Sequence, residues 1–190
     1  MNSYIDTNII LSFFDLNDSM HTQSTILFLQ QNLNFYTGFI TVLEFRAVIG
    51  RMWINKQIKF EADIEQKIQS LKEPDQIKAL TEICFNRLPI KIPNLNSLEK
   101  LMFNDIEYQI ENTFTLAYNI SPFIPLRTLD IIQIASALKI KSLGNIDVQY
   151  FITNDLTILN NASKIFNLIK ILPISCSEFI SPLKAQPNDL

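Results

Sequence analysis

The segment that most restricts how this chain folds is residues 126–138, LRTLDIIQIASAL, a helical pattern that is apolar on most of its circumference. Such a helix has no face to give to water and must be covered from more than one side. It follows a turn-like stretch, NISPFIP, closes near Gly144, and is succeeded by QYFIT, a run of strand-forming residues. The chain opens with the same alternation. A strand over residues 3–5 leads into an apolar helical segment, then a second helix over residues 18–32 with Asp18 or Ser19 as its N-cap. NFYTGFI reads as the next strand, followed by a helix over residues 41–54 that is apolar on most faces. Strands separated by helices pair in parallel, so the expectation is an α/β fold around a mostly parallel sheet.

Further on, residues 59–71 and 74–88 read as amphipathic helices, LPIKIP as a short extended piece, and residues 95–118 as largely helical. Residues 155–166 read as a short helix, LIKILPI as a last strand, and SPLKAQPNDL as a loosely held tail. The organisation expected is one domain over residues 1–176, with residues 55–125 a helical elaboration outside the layer that covers the sheet, and a C-terminal tail over residues 177–190.

Composition narrows the chemistry. With 190 residues, 47% of them hydrophobic and 18% charged, the chain supports a sizeable core in a single domain. Three scattered glycines, Gly38, Gly50 and Gly144, build no phosphate-cradling loop, which excludes a Walker motif or dinucleotide fingerprint. Cys84 and Cys176 form no CxxC pair and read as buried thiols of an intracellular protein, a single disulfide being the minor alternative. No apolar run reaches the ~18–20 residues of a membrane span, and the N-terminus has no secretory pattern, so a soluble, cytoplasmic protein is expected. The net charge of −3 is not the footprint of a nucleic-acid binder, although a bound divalent cation inverts the field of any site built from acids. The lone histidine, His21, excludes a histidine acid–base pair and a histidine-rich zinc site. Carboxylates with a hard metal remain.

In an open parallel sheet, ligands bind beyond the C-terminal ends of the strands. Asp6 follows the first strand directly, and Asp155 follows QYFIT. Glu44 lies early in the helix after the strand containing Phe35 and Tyr36, and Asp130 near the start of the apolar helix. Each has an ordinary use: Asp6 and Asp155 as N-caps, Glu44 as a partner of Arg46, Asp130 as a partner of Arg127. Together on one rim they would repel one another unless divalent cations held them.

In order and local context, IDTNIILSFF, Glu44 in TVLEFRAVI, Asp130 in LRTLDIIQIASAL and Asp155 in FITND resemble the PIN domain, a family of metal-dependent nucleases that includes VapC-type toxins of toxin–antitoxin pairs. The resemblance covers roughly residues 1–54 and 126–174; residues 55–125 match no motif and are longer than a compact PIN toxin needs. It implies a PIN-like three-layer α/β/α sandwich and a Mg²⁺- or Mn²⁺-dependent endoribonuclease that hydrolyses RNA phosphodiester bonds. It also implies that Asp6, Glu44, Asp130 and Asp155 hold the metal, with Asn8 and Thr153 orienting the carboxylates. The partners implied are an RNA substrate, a protein antitoxin and a second copy in a homodimer.

Beside the resemblance, Arg46, Arg51, Lys56 and Lys59 form either a phosphate track or a solvated helix face. Phe13, Phe14, Tyr36 and Trp53 are base-stacking residues or, more simply, core. Competing functions are a non-catalytic PIN-like scaffold that keeps the acidic cluster, and a purely structural or interaction protein. A haloacid-dehalogenase-like phosphatase wants a second aspartate where this chain has Asn8.

Overall fold

Our computed structural model describes residues 1–95 and 97–184. The elements run β1 (Asn2–Ile5), α1 (Thr7–Phe14), α2 (His21–Phe28), β2 (Asn34–Tyr36), α3 (Phe39–Ile54), α4 (Ala62–Ile68), α5 (Glu73–Arg87) and β3 (Ile90–Lys91). They continue with β4 (Leu98–Phe103), β5 (Ile106–Glu111), α6 (Asn112–Ile120), a 3-10 turn (Ser121–Phe123), α7 (Thr128–Leu143), β6 (Val148–Ile152), α8 (Leu156–Leu159), α9 (Ala162–Ile169), β7 (Leu172–Ile174) and α10 (Cys176–Lys184).

Five strands form the central sheet in the order β3-β2-β1-β6-β7, every pairing parallel. Side chains alternate across it as the pleat requires. Ile5, Phe35 and Ile152 enter one core with Ile9, Phe45 and Ile49, while their neighbours Tyr4, Tyr36 and Phe151 enter a second with Ile134, Ala137 and Ile165. Burial on both faces is what a parallel sheet needs. It also accounts for the apolar circumference of α7, which lies between β6 and α6.

The strand order reverses between β1 and β6. From β1 the chain builds outward to β2 and β3, and from β6 it builds the other way to β7. α1 after β1 buries Ile9 and Ile10 in the first core, whereas α8 and α9 after β6 bury Ile158 and Ile165 in the second. The two chains therefore part to opposite faces and leave a crevice at their C-terminal ends.

Several expectations are corrected. Residues 95–118 are not largely helical: β4 and β5 form an antiparallel hairpin that ends in α6. IEYQIE alternates apolar and polar residues with period two whereas LEKLMF does not, and between them Asn104 and Asp105 both adopt left-handed backbone, φ 50° and 61°, as in the primed turns that Asn and Asp favour. The second helix starts at His21 because the Asp18 carboxylate is committed to a turn, accepting from the Met20 amide (2.7 Å) and the Ser12 hydroxyl (3.0 Å). Residues 155–166 break at Asn160 and Asn161 into α8 and α9. The expected tail is helical as far as Lys184 and packs on α2, with Phe179 and Ile180 buried, whereas residues 185–190 lie outside the described residues. Cys84 and Cys176 are both buried and no disulfide joins them. Among the described residues no helix is long and apolar enough to cross a membrane.

Candidate active site

Asp6 follows β1 and caps α1. Its extended backbone (φ −78°, ψ 156°) turns the carboxylate back to accept from the Thr7 amide at 2.6 Å. The other oxygen accepts from the Thr153 hydroxyl (2.6 Å) and the Asn8 amide (2.8 Å). Thr153 and Asn8 do more than hold Asp6. Asn8 Nδ2 also reaches Thr153 Oγ1 (3.0 Å), Asn8 Oδ1 accepts from the Asn154 amide (3.1 Å), and Thr153 Oγ1 accepts from the Asp155 amide (3.0 Å). These bonds tie the end of β1 to the end of β6. Burial pushes the Asp6 carboxyl up to about 7; the Thr153 and Thr7 hydrogen bonds oppose the rise, and the charges of Glu44 and Asp130 add to it.

Glu44 is carried by α3 and held by Gln133 of α7, whose Nε2 donates to Glu44 Oε2 at 2.6 Å and to Thr7 Oγ1 at 3.0 Å. The Thr7 hydroxyl also donates to Glu44 Oε2. Gln133 is itself fixed from behind, because its carbonyl oxygen accepts from Tyr4 Oη and Thr41 Oγ1, both at 2.7 Å. Gly38 allows this closeness: a β-carbon there would stand 2.9 Å from Ser136 Cβ and 3.2 Å from Tyr4 Oη. Burial pushes the Tyr4 phenol up to about 12, so it stays neutral and can donate.

Asp130 and Asp155 share a cation within the chain. Arg127 Nε donates to Asp130 Oδ2 (3.2 Å), and its Nη2 donates to Asp155 Oδ2 (2.8 Å). Asp155 caps α8 with its other oxygen, accepting from the Thr157 amide at 2.7 Å. Asp6, Glu44, Asp130 and Asp155 line one cavity of about 300 Å³ with Thr7, Asn8, Arg127 and Gln133. All four acids expected from the sequence therefore meet at one place, with Asn8 and Thr153 beside Asp6.

The donor set is all carboxylate, amide and hydroxyl oxygen, which suits a hard divalent cation. Among the described residues, no three His, Cys, Asp or Glu side chains stand close enough to hold a metal ion as they are arranged.

The basic residues fall elsewhere. Arg46 and Arg51 line a separate depression with Ala47 and Pro74, and Lys56 another with Glu65 and Glu73. Lys59 gives its amide to Asp15. Phe14 and Tyr36 are buried, Phe13 packs on the core, and Trp53 stacks near Phe60 while donating to Gln76. Gln133, Thr7 and Tyr4 were not singled out in the sequence. The signal for Gln133 was a polar residue three positions after Asp130 on an otherwise apolar helix, hence on the same face. A larger cleft of about 500 Å³, lined by Phe39, Leu43, Phe114 and Lys139, opens elsewhere and contains none of the four acids. Compared with known proteins, the sequence matches no family model and no curated protein.

Proposed function

We propose that the cavity is the active site of a metal-dependent nuclease that hydrolyses RNA phosphodiester bonds, in a PIN-like α/β/α sandwich. The observation that carries this reading is the meeting of Asp6, Glu44, Asp130 and Asp155 in one cavity at the reversal point of a parallel sheet. The ordered motifs that resemble the PIN domain point the same way.

In this reading Asp6, Glu44, Asp130 and Asp155 hold one or two Mg²⁺ or Mn²⁺ ions. Such an ion, when bound, lowers the pKa of a water and stabilises charge on the scissile phosphate. The chain's own part is positioning. Thr153, Asn8 and the Thr7 amide fix both oxygens of Asp6, while Gln133 and Thr7 fix one oxygen of Glu44 and leave the other for a ligand. The apolar side chains of Leu11, Val48 and Leu129 complete the wall and limit water around the acids. Toxicity countered by an antitoxin, and a homodimer, belong to this proposal as its biological setting.

A second reading is favoured by the Arg127 contacts: an acidic site neutralised by its own arginine suits a non-catalytic module as well. Incubating a mixed single-stranded RNA pool with the protein and Mn²⁺ separates them. Cleavage that EDTA stops and that Asp6→Asn and Glu44→Gln each lower at least 100-fold is expected of the nuclease. Cation binding without cleavage would favour the scaffold.

A further inference from the structure

We infer that Arg127 is the resident counter-cation of this cavity, and that a divalent cation enters by displacing its guanidinium from Asp130 and Asp155. The inference rests on the reading of the cavity as a divalent-cation site and adds how that site is guarded.

Asp155 has two oxygens, and Oδ1 already accepts from the Thr157 amide as the cap of α8. Oδ2 is what remains for a cation, and Arg127 holds it at 2.8 Å. At Asp130, Arg127 Nε takes Oδ2 at 3.2 Å. A metal ion reaching Asp155 through Oδ2 would compete with the guanidinium for that oxygen, and two cations on the same pair of carboxylates repel each other. Among the described residues that line the cavity, Arg127 is also the only basic side chain.

The position of Arg127 shows why it would let go. It occupies the N-cap position of α7 without any side-chain cap bond. A cation there faces the positive end of the helix dipole, so the helix does not favour it and the two carboxylates alone retain it. Its side chain is 71% exposed, against 14% for Asp130 and 23% for Asp155. The acids are the half-buried partners, and the guanidinium is the solvent-facing one. Exposed arginine pairs are weak, whereas a divalent ion on several carboxylates carries twice the charge in less space. Release sends the guanidinium into water at the mouth of the cavity.

Mn²⁺ titration calorimetry on the metal-free protein, at fixed ionic strength, tests the exchange directly. Arg127→Gln should bind Mn²⁺ about tenfold tighter than the wild type, because no internal cation has to be displaced. Arg127→Lys, which keeps the charge but not the two-carboxylate fork, should fall between them. A second readout is independent of affinity: the Arg127 Nε–H resonance, assigned by its loss in Arg127→Lys. It should report a hydrogen-bonded proton in the metal-free protein and a solvated one when Mg²⁺ saturates the site. If the wild type binds Mn²⁺ but Arg127→Gln binds no tighter, or the Nε–H stays bonded under saturating Mg²⁺, the exchange is overturned while the cation site stands. If neither protein binds Mn²⁺ or Mg²⁺, the cation-site reading is overturned and the exchange with it.

Discussion

At Asp6 the cost of burying a carboxylate is set against hydrogen bonds from Thr7, Asn8 and Thr153, and burial wins, raising the carboxyl from 3.8 to about 7. A group raised in this way contributes stability that is complete below its unfolded value of 3.8 and is lost as the pH rises through 7. In metal-free buffer, Asp6 should therefore add about 1 kcal/mol to folding stability between pH 8 and pH 6. Urea melts of wild type and Asp6→Asn at those two pH values isolate the effect, since every other titrating group is common to both. An equal pH dependence in the variant would mean that the Asp6 carboxyl is ionised throughout the range.

The acids are positioned by elements, and α7 contributes most. Asp130 and Gln133 lie one turn apart on the face it turns toward the cavity, while Ile134, Ala137 and Ile140 fill the core. Its approach to the start of α3 depends on Gly38, so Gly38→Ala forces Ser136 or Tyr4 to give way. Such overpacking costs about 1–3 kcal/mol. Because the Tyr4–Gln133–Glu44 relay runs through the same contact, activity per folded molecule should fall as well. Thermal melts and cleavage rates measured together check this; a destabilised protein with full activity per folded molecule would show that the relay does not set Glu44. Elements also explain what could be read from sequence. The sheet and its acids were legible because β1, β2, β6 and β7 are short strands, each bounded by a helix or a turn, with Asp6 next after β1 and Asp155 a little past β6. The hairpin was not. Its strands are mostly exposed, LEKLMF lacks the clean inside–outside contrast that marks a half-buried strand, and Leu and Met sit as readily in helices. The cues were the alternation of IEYQIE and the turn pair Asn104 and Asp105. The role of Arg127 was half visible: its spacing to Asp130 shows in the sequence, but its reach to Asp155 depends on α7 packing along β6.

For the whole molecule, the cavity joins parts of the chain that are remote in sequence. Asp6 follows the first strand, Glu44 belongs to α3, and Asp130 and Asp155 lie in the last third of the chain, so a ligand held by all of them joins both halves of the sheet. A cation bound there is coupled to global unfolding, because the unfolded chain cannot bring these groups together. At one hundred times its dissociation constant it adds about 2.7 kcal/mol. For a chain of this size that is a rise of roughly 5–10 °C in melting temperature. Weak association of Mg²⁺ or Mn²⁺ with scattered surface acids is also expected of a protein with net charge −3, and it would raise stability a little in every variant. Melts of wild type and Asp6→Asn in EDTA and in Mn²⁺, at matched ionic strength, separate the two effects. The wild type should gain the full shift and Asp6→Asn most of it should lose, since Asp6 is the most deeply buried of the four acids and the one fixed at both oxygens. Equal shifts in the two proteins would place the ions on the outer surface and leave the cavity without a cation; a shift confined to the wild type would tie the ion to the crevice between β1 and β6, where the two halves of the sheet part.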